Sequence, residues 1–90
     1  MEVRVDKRSE NYLELRLAGE DHTLGNLLAG ALREVKGVSY ASYYQPHPLN
    51  DEIVLKIMTD GTISPLEALN KALDAVRAMG EKFLEELKGL

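Results

Sequence analysis

Two stretches of this chain carry more apolar surface than a 90-residue domain can bury on its own. The first is residues 23–35, TLGNLLAGALREV. Leu24, Leu27, Leu28, Ala31, Leu32 and Val35 recur at the spacing of one helical face. Gly25 and Ala29 widen that face with small residues. The second stretch runs from residue 65 to about residue 88. Leu66, Leu69, Leu73, Val76, Phe83, Leu87 and Leu90 follow a heptad broken only by Gly80, and Ala68, Ala72, Ala75 and Met79 run beside it. A helix on the surface of a monomer needs one apolar stripe. Two stripes imply two contacts, one with its own sheet and one with something else. The expected product of this chain is an interface.

The rest of the chain supplies the sheet. Val3 and Val5 alternate with charges, and Leu13, Leu15 and Leu17 alternate across NYLELRLAG, the period of half-buried strands. Residues 8–11, RSEN, form a polar turn joining the two as a hairpin. A third strand is expected over the tyrosine-rich residues 38–45, and a fourth over EIVLKIMT, where Ile53, Leu55 and Ile57 alternate. Residues 46–51 form a loop, because Pro46 and Pro48 offer no ladder donors. Asp21 or Thr23 caps the first helix and Gly37 stops it. Ser64 caps the second, with Pro65 at its first position. The order is ββαββα in one domain, residues 1–90. The predicted fold class is α+β: a two-layer sandwich with a four-stranded, mainly antiparallel sheet and two helices on one face.

Composition narrows the function. Fifteen acidic against 11 basic residues, net charge −4, leave no surplus for neutralising phosphates, and the basic residues are scattered. Independent nucleic-acid binding is therefore not expected. With no cysteine there is no disulfide framework, zinc finger or thiol nucleophile. The start, MEVRVDKRSE, does not read as a signal peptide, and no apolar run reaches the length of a membrane span. A cytoplasmic location and no membrane contact are expected. Hydrophobic content of 44% argues for a folded chain. A chain this short buries only about 60–65% of its unfolded surface, so modest stability is expected of it alone.

No residue set reads as catalytic. His22 and His47 lack partners at ligand spacing, and both are expected to be structural or interfacial. Glu20 and Asp21 precede a helix, where carboxylates complement the dipole. Thr59, Asp60, Gly61 and Thr62 have no phosphate-loop spacing and read as a turn. Tyr40, Tyr43 and Tyr44 have little basic residue around them and read as sheet packing rather than base stacking. No catalytic, cofactor-binding or metal-binding residue is expected, and no cofactor.

The helices carry the interaction signal. Gly25, Gly30 and Gly80 each cost up to about 1 kcal/mol relative to Ala inside a helix. Small residues are most useful there if another backbone approaches closely. The residues expected at a partner interface are Leu24, Gly25, Leu28, Ala29, Leu32, Leu69, Ala72, Leu73, Val76, Met79 and Phe83. The pattern leaves open which side of each helix meets the partner and which its own sheet.

Specific motifs point further. The run Glu20, Asp21, His22, Thr23, Leu24, Gly25, Asn26, Leu27, Leu28 resembles the signature of the alpha-like subunits of cellular RNA polymerases. Pro46, His47, Pro48 and Leu49, then Thr59, Asp60 and Gly61 ahead of the helix start at Pro65, are similar to the smaller members of that family, the archaeal L subunits and their eukaryotic relatives. The resemblance covers nearly the whole chain. The larger members carry a second domain inserted in the first. Here only Lys36 and Gly37 separate the first helix from the third strand, so there is no room for one. The bacterial alpha pattern has paired arginines after the Leu-Gly-Asn motif. This chain has Ala29 and Gly30, with Arg33 later, so direct anchoring of the large subunits would fall mainly to the partner.

The resemblance implies a non-catalytic assembly subunit of DNA-directed RNA polymerase. It would pair through its two helices with the larger alpha-like subunit (D in archaea), and the heterodimer would carry the other polymerase subunits. The alternative from a different class is a stand-alone homodimeric α+β protein-binding module using the same helices.

Overall fold

The computed structural model describes all residues, Met1–Leu90. Four strands and two helices follow in the order β1 (Glu2–Arg8), β2 (Tyr12–Ala18), α1 (His22–Arg33), β3 (Val38–Tyr44), β4 (Glu52–Thr59) and α2 (Pro65–Lys88). The sheet is antiparallel throughout, in the order β1-β2-β4-β3. The α+β expectation holds, and each strand falls within a residue or two of its sequence pattern.

Register decides what the sheet offers each side. Leu13, Leu15 and Leu17 pair with Ile57, Leu55 and Ile53, so six branched side chains share one face. Ala41 and Tyr43 of β3 join them opposite Ile57 and Leu55. Both helices lie on this side, and together with Leu28, Ala29, Leu32, Ile63, Ala68 and Ala72 these residues make the core. Val3 and Val5 point the same way, opposite Leu17 and Leu15. The helices sit over β2, β3 and β4, and leave both valines more than half exposed. The alternation of β1 predicts a half-buried strand. It is instead an uncovered edge strand.

The other face is polar and ionic. A bulge at Asp6 takes the register from Val5↔Leu15 to Lys7↔Glu14. One extra residue in a strand shifts the alternation that follows it. Asp6 and Lys7 thus both reach the outer face. Arg16 is held there by Asp6, Nη2 to Oδ2 2.8 Å, and by Glu52. Both carboxylates push its guanidinium pKa up, through hydrogen bonds and then charge. Lys7 lies 3.8 Å from Glu14, which also accepts the Tyr12 hydroxyl at 2.7 Å.

The helix ends follow local chemistry. Asp21 is the N-cap of α1, and its carboxylate accepts the Thr23 N–H at 3.0 Å. α1 stops at Arg33, short of the expected Val35, because the Glu34 and Val35 N–H groups bond back three residues to Ala31 and Leu32. Gly37 then takes φ +99°, where a side chain would also strike Ile63 and Thr62. Ser64 caps α2 by accepting the Glu67 N–H at 3.1 Å, and Pro65 fixes the first turn.

Candidate partner interface

The uncovered edge of the sheet and the helices enclose an apolar groove. Met1 and Val3 form one wall, Leu15, Leu17 and Leu55 the floor, and Leu24, Leu28, Leu69 and Leu73 the other wall. All nine lining residues are hydrophobic. A second depression lies where the helices cross, lined by Leu27, Val76, Met79 and Phe83 with Gly80 between them and Lys82 and Glu86 at its rim. From Arg77 to the end of α2 every residue is exposed, Phe83 at 64%, and Leu84 and Leu87 lie on the same exposed stretch. A helix of 24 residues is about 36 Å long at ~1.5 Å per residue, and here it outruns the sheet it packs on. Apolar surface left bare in this way makes this side of the chain the candidate interaction site.

The structure corrects part of the expected interface set. Gly25, Leu28, Ala29, Leu32 and Ala72 are all buried within the chain itself, and Gly25, Ala29, Leu32 and Ala72, which line neither apolar depression, are withdrawn as partner-facing residues. On α1 the row Gly25, Leu28, Ala29, Leu32 faces β3 and β4. On α2 Ala68 and Ala72 face the core. Small residues let both helices approach their own sheet, and the larger side chains of the α2 heptad are left outward. Leu28, although buried, forms part of the groove wall. Leu24, Leu69 and Val76 are half-buried, and Leu73, Met79 and Phe83 are exposed.

The two motifs part company. His22 Nδ1 lies 3.2 Å from the Tyr43 hydroxyl, with the rings edge-on at 5.6 Å between centroids. Gly25 passes directly beneath that tyrosine ring. Thr23 and Asn26 are exposed, and Leu24 turns to the groove. The segment His22–Gly25 is thus largely a seat for Tyr43 on α1. Pro46, His47 and Pro48 stand on the β3–β4 loop, away from both apolar depressions. His22 and His47 belong to separate structures, and no group of three or more His, Cys, Asp or Glu side chains is placed to hold a metal.

Sequence reasoning locates the helical wall of the groove but misses Met1, Val3, Leu15, Leu17 and Leu55. The available signal is the valine pair of β1, an apolar face on a strand that two helices cannot reach. No helix is long and apolar enough to cross a membrane.

The family model of the RNA polymerase Rpb3/Rpb11 dimerisation domain matches residues 12–86. The DNA-directed RNA polymerase subunit Rpo11 of Metallosphaera sedula is 66% identical over 88 residues, covering 98% of both chains. Rpo11 of Saccharolobus solfataricus is 59% identical over 90 residues, covering 100% of this chain and 98% of its own. Subunit L of the DNA-directed RNA polymerase of Thermoplasma acidophilum has the same fold, with a TM-score of 0.85 at 20% identity over 98% of this chain and 86% of that one. On the extent of these matches, the chain belongs to the RNA polymerase Rpb3/Rpb11 dimerisation-domain family, alongside the archaeal Rpo11 subunits.

Proposed function

We propose that this chain is the smaller half of an alpha-like heterodimer in DNA-directed RNA polymerase. Its partner is the larger alpha-like subunit (D in archaea), and the pair is the platform on which the large catalytic subunits assemble. Nucleotidyl transfer takes place on other chains, and this one brings no cofactor and no DNA affinity of its own. It acts as one alpha-like domain, residues 1–90, in the cytoplasm. The observation that carries this reading is the all-apolar groove beside β1, continued by the bare outer half of α2. Leu24, Leu69, Leu73, Val76, Met79 and Phe83, with Met1 and Val3, form the contact. Left in water, such a surface costs on the order of 25 cal/mol per Å², which a matching apolar partner recovers.

Co-expression with the larger alpha-like subunit, followed by size-exclusion chromatography, tests it. A one-to-one complex is expected. A stable homodimer that leaves the larger subunit unbound would overturn the reading in favour of a stand-alone homodimeric module.

A further inference from the structure

α2 changes character after Val76. Up to that point it is anchored: Pro65, Ala68 and Ala72 are buried, and Leu69 and Val76 are half-buried. From Arg77 to Leu90 every residue is exposed, and none of them belongs to the core or packs against it. The helical form of this outer half therefore rests mainly on local terms.

Those terms are weak. Most helical stability in a protein comes from tertiary packing, and a helix shorter than about 12–15 residues is marginal in water by itself. Gly80 stands inside the segment with nothing within 4 Å of a side-chain carbon placed there, so no contact offsets its conformational freedom. The favourable end effects, the Ser64 cap, Pro65 and Glu67, all act on the other end of α2. Glu85 and Glu86 lie in the last turn, against the negative end of the helix dipole, with Lys88 the one cation there. Lys88 and Glu85, 3.7 Å apart and both largely exposed, form the one ion pair wholly within the segment. The same segment carries Met79, Phe83, Leu84 and Leu87, all exposed. The dimerisation-domain match extends through it to residue 86 rather than stopping at the packed half.

We propose that residues 77–90 of α2 fold in concert with dimerisation: in the free chain they exchange between helix and coil, and the dimer partner completes the helix by covering Met79 and Phe83. The proposal rests on the heterodimer reading above. The helix drawn through Lys88 is the member of that equilibrium which the partner binds. Residues on the far side of the segment, touching neither partner nor core, then set the affinity through the helical fraction. Ala78 is such a residue. It is exposed and lines neither apolar depression, and at about 3.6 residues per turn it faces away from Val76 and Phe83.

The test follows amide hydrogen exchange by mass spectrometry in the full chain, free and in heterodimer with the larger alpha-like subunit. In the free chain, amides of residues 80–88 should exchange more than about tenfold faster than those of residues 68–76, and in the heterodimer both halves should be protected alike. Ala78→Gly should leave the melting temperature of the free chain nearly unchanged and weaken the heterodimer about three- to fivefold, because it lowers the helical fraction. Ala78→Lys, which keeps a strong helix former, should bind as the parent does. Protection through residue 88 in the free chain equal to that of the packed half overturns the proposal. So does an Ala78→Gly chain that melts lower and binds unchanged, the result for a helix already formed. Equal losses of affinity from Ala78→Gly and Ala78→Lys would place residue 78 inside the contact and also overturn it. A heterodimer that forms without protecting residues 80–88 overturns this proposal alone. A parent chain that does not bind the larger subunit overturns the heterodimer reading and this proposal together.

Discussion

Gly25 of α1 lies directly beneath the ring of Tyr43 on β3: a methyl group built on Gly25 would stand 2.5 Å from Tyr43 Cδ2 and 2.7 Å from Cγ. Cγ is the root of the ring, so the tyrosine cannot yield by swinging its far end. The His22 contact at the hydroxyl holds the other end of the same side chain. Gly25→Ala should therefore lower stability by about 1–3 kcal/mol through overpacking, although Ala is the better helix former by about 1 kcal/mol. Adding Tyr43→Leu should recover part of the loss. Urea unfolding of the two variants checks this; a Gly25→Ala chain as stable as the parent would mean that α1 does not rest on Tyr43.

The other helical glycines behave differently. Nothing lies within 4 Å of a side-chain carbon placed at Gly30 or Gly80. In the isolated chain, Gly30→Ala and Gly80→Ala should each stabilise by about 0.5–1 kcal/mol. Gly80 sits between Met79 and Phe83 in the outer depression. If a partner backbone packs there, Gly80→Ala should also weaken the heterodimer, and thermal melts paired with binding titrations separate the two effects. A gain in both stability and affinity would show that no partner comes close at Gly80.

Charge introduced along the helices should divide the core from the interface. Leu32 is fully buried, and Leu32→Asp would place an unpaired charge among apolar side chains, a loss of several kcal/mol that such a small domain does not survive. Leu28→Asp should act in the same way. Leu73 is 41% exposed in the isolated chain and lines the groove. Leu73→Asp and Phe83→Asp should leave the circular dichroism spectrum and melting temperature nearly unchanged, yet abolish binding to the larger alpha-like subunit. Normal heterodimer with both substitutions present would place the contact elsewhere.

The strands were readable because period-2 alternation depends on neighbours in sequence. Ile53, Leu55 and Ile57 announce both their strand and their face. The cap at Ser64 was readable for the same reason, and that of α1 was narrowed to Asp21 or Thr23, since a cap acts on an N–H two or three residues away. What α1 and α2 turn toward the sheet was not readable. On both helices apolar residues occupy adjacent rows, and the choice between rows is made by contacts such as Gly25 with Tyr43, far apart in the chain. The bulge at Asp6 was equally hidden, because the extra residue shows only against β2. The groove needed the strand order, which leaves Val3 beyond the reach of either helix. The motif residues were visible, but their different tasks were not: His22 and Gly25 seat a tyrosine, and Pro46 and Pro48 stiffen a loop.

Tyr12 gives the outer face a measurable signature. Burial, and then the hydrogen bond to the Glu14 carboxylate, push its phenol from the ordinary 10.0 up to about 12. Between those values the native chain keeps a proton that the unfolded chain has lost. Stability therefore falls as pH rises through that window, and the contribution is fully present below it. Titration followed by phenolate absorbance should show one tyrosine ionising at about 12, and Tyr12→Phe should remove that step and flatten the alkaline loss of stability. At neutral pH the same substitution leaves the nearly buried Glu14 without its hydroxyl donor, with Lys7 at 3.8 Å as its one ion-pair partner. That should cost about 1–2 kcal/mol. An alkaline titration unchanged by Tyr12→Phe would mean that the Tyr12–Glu14 bond does not persist in solution.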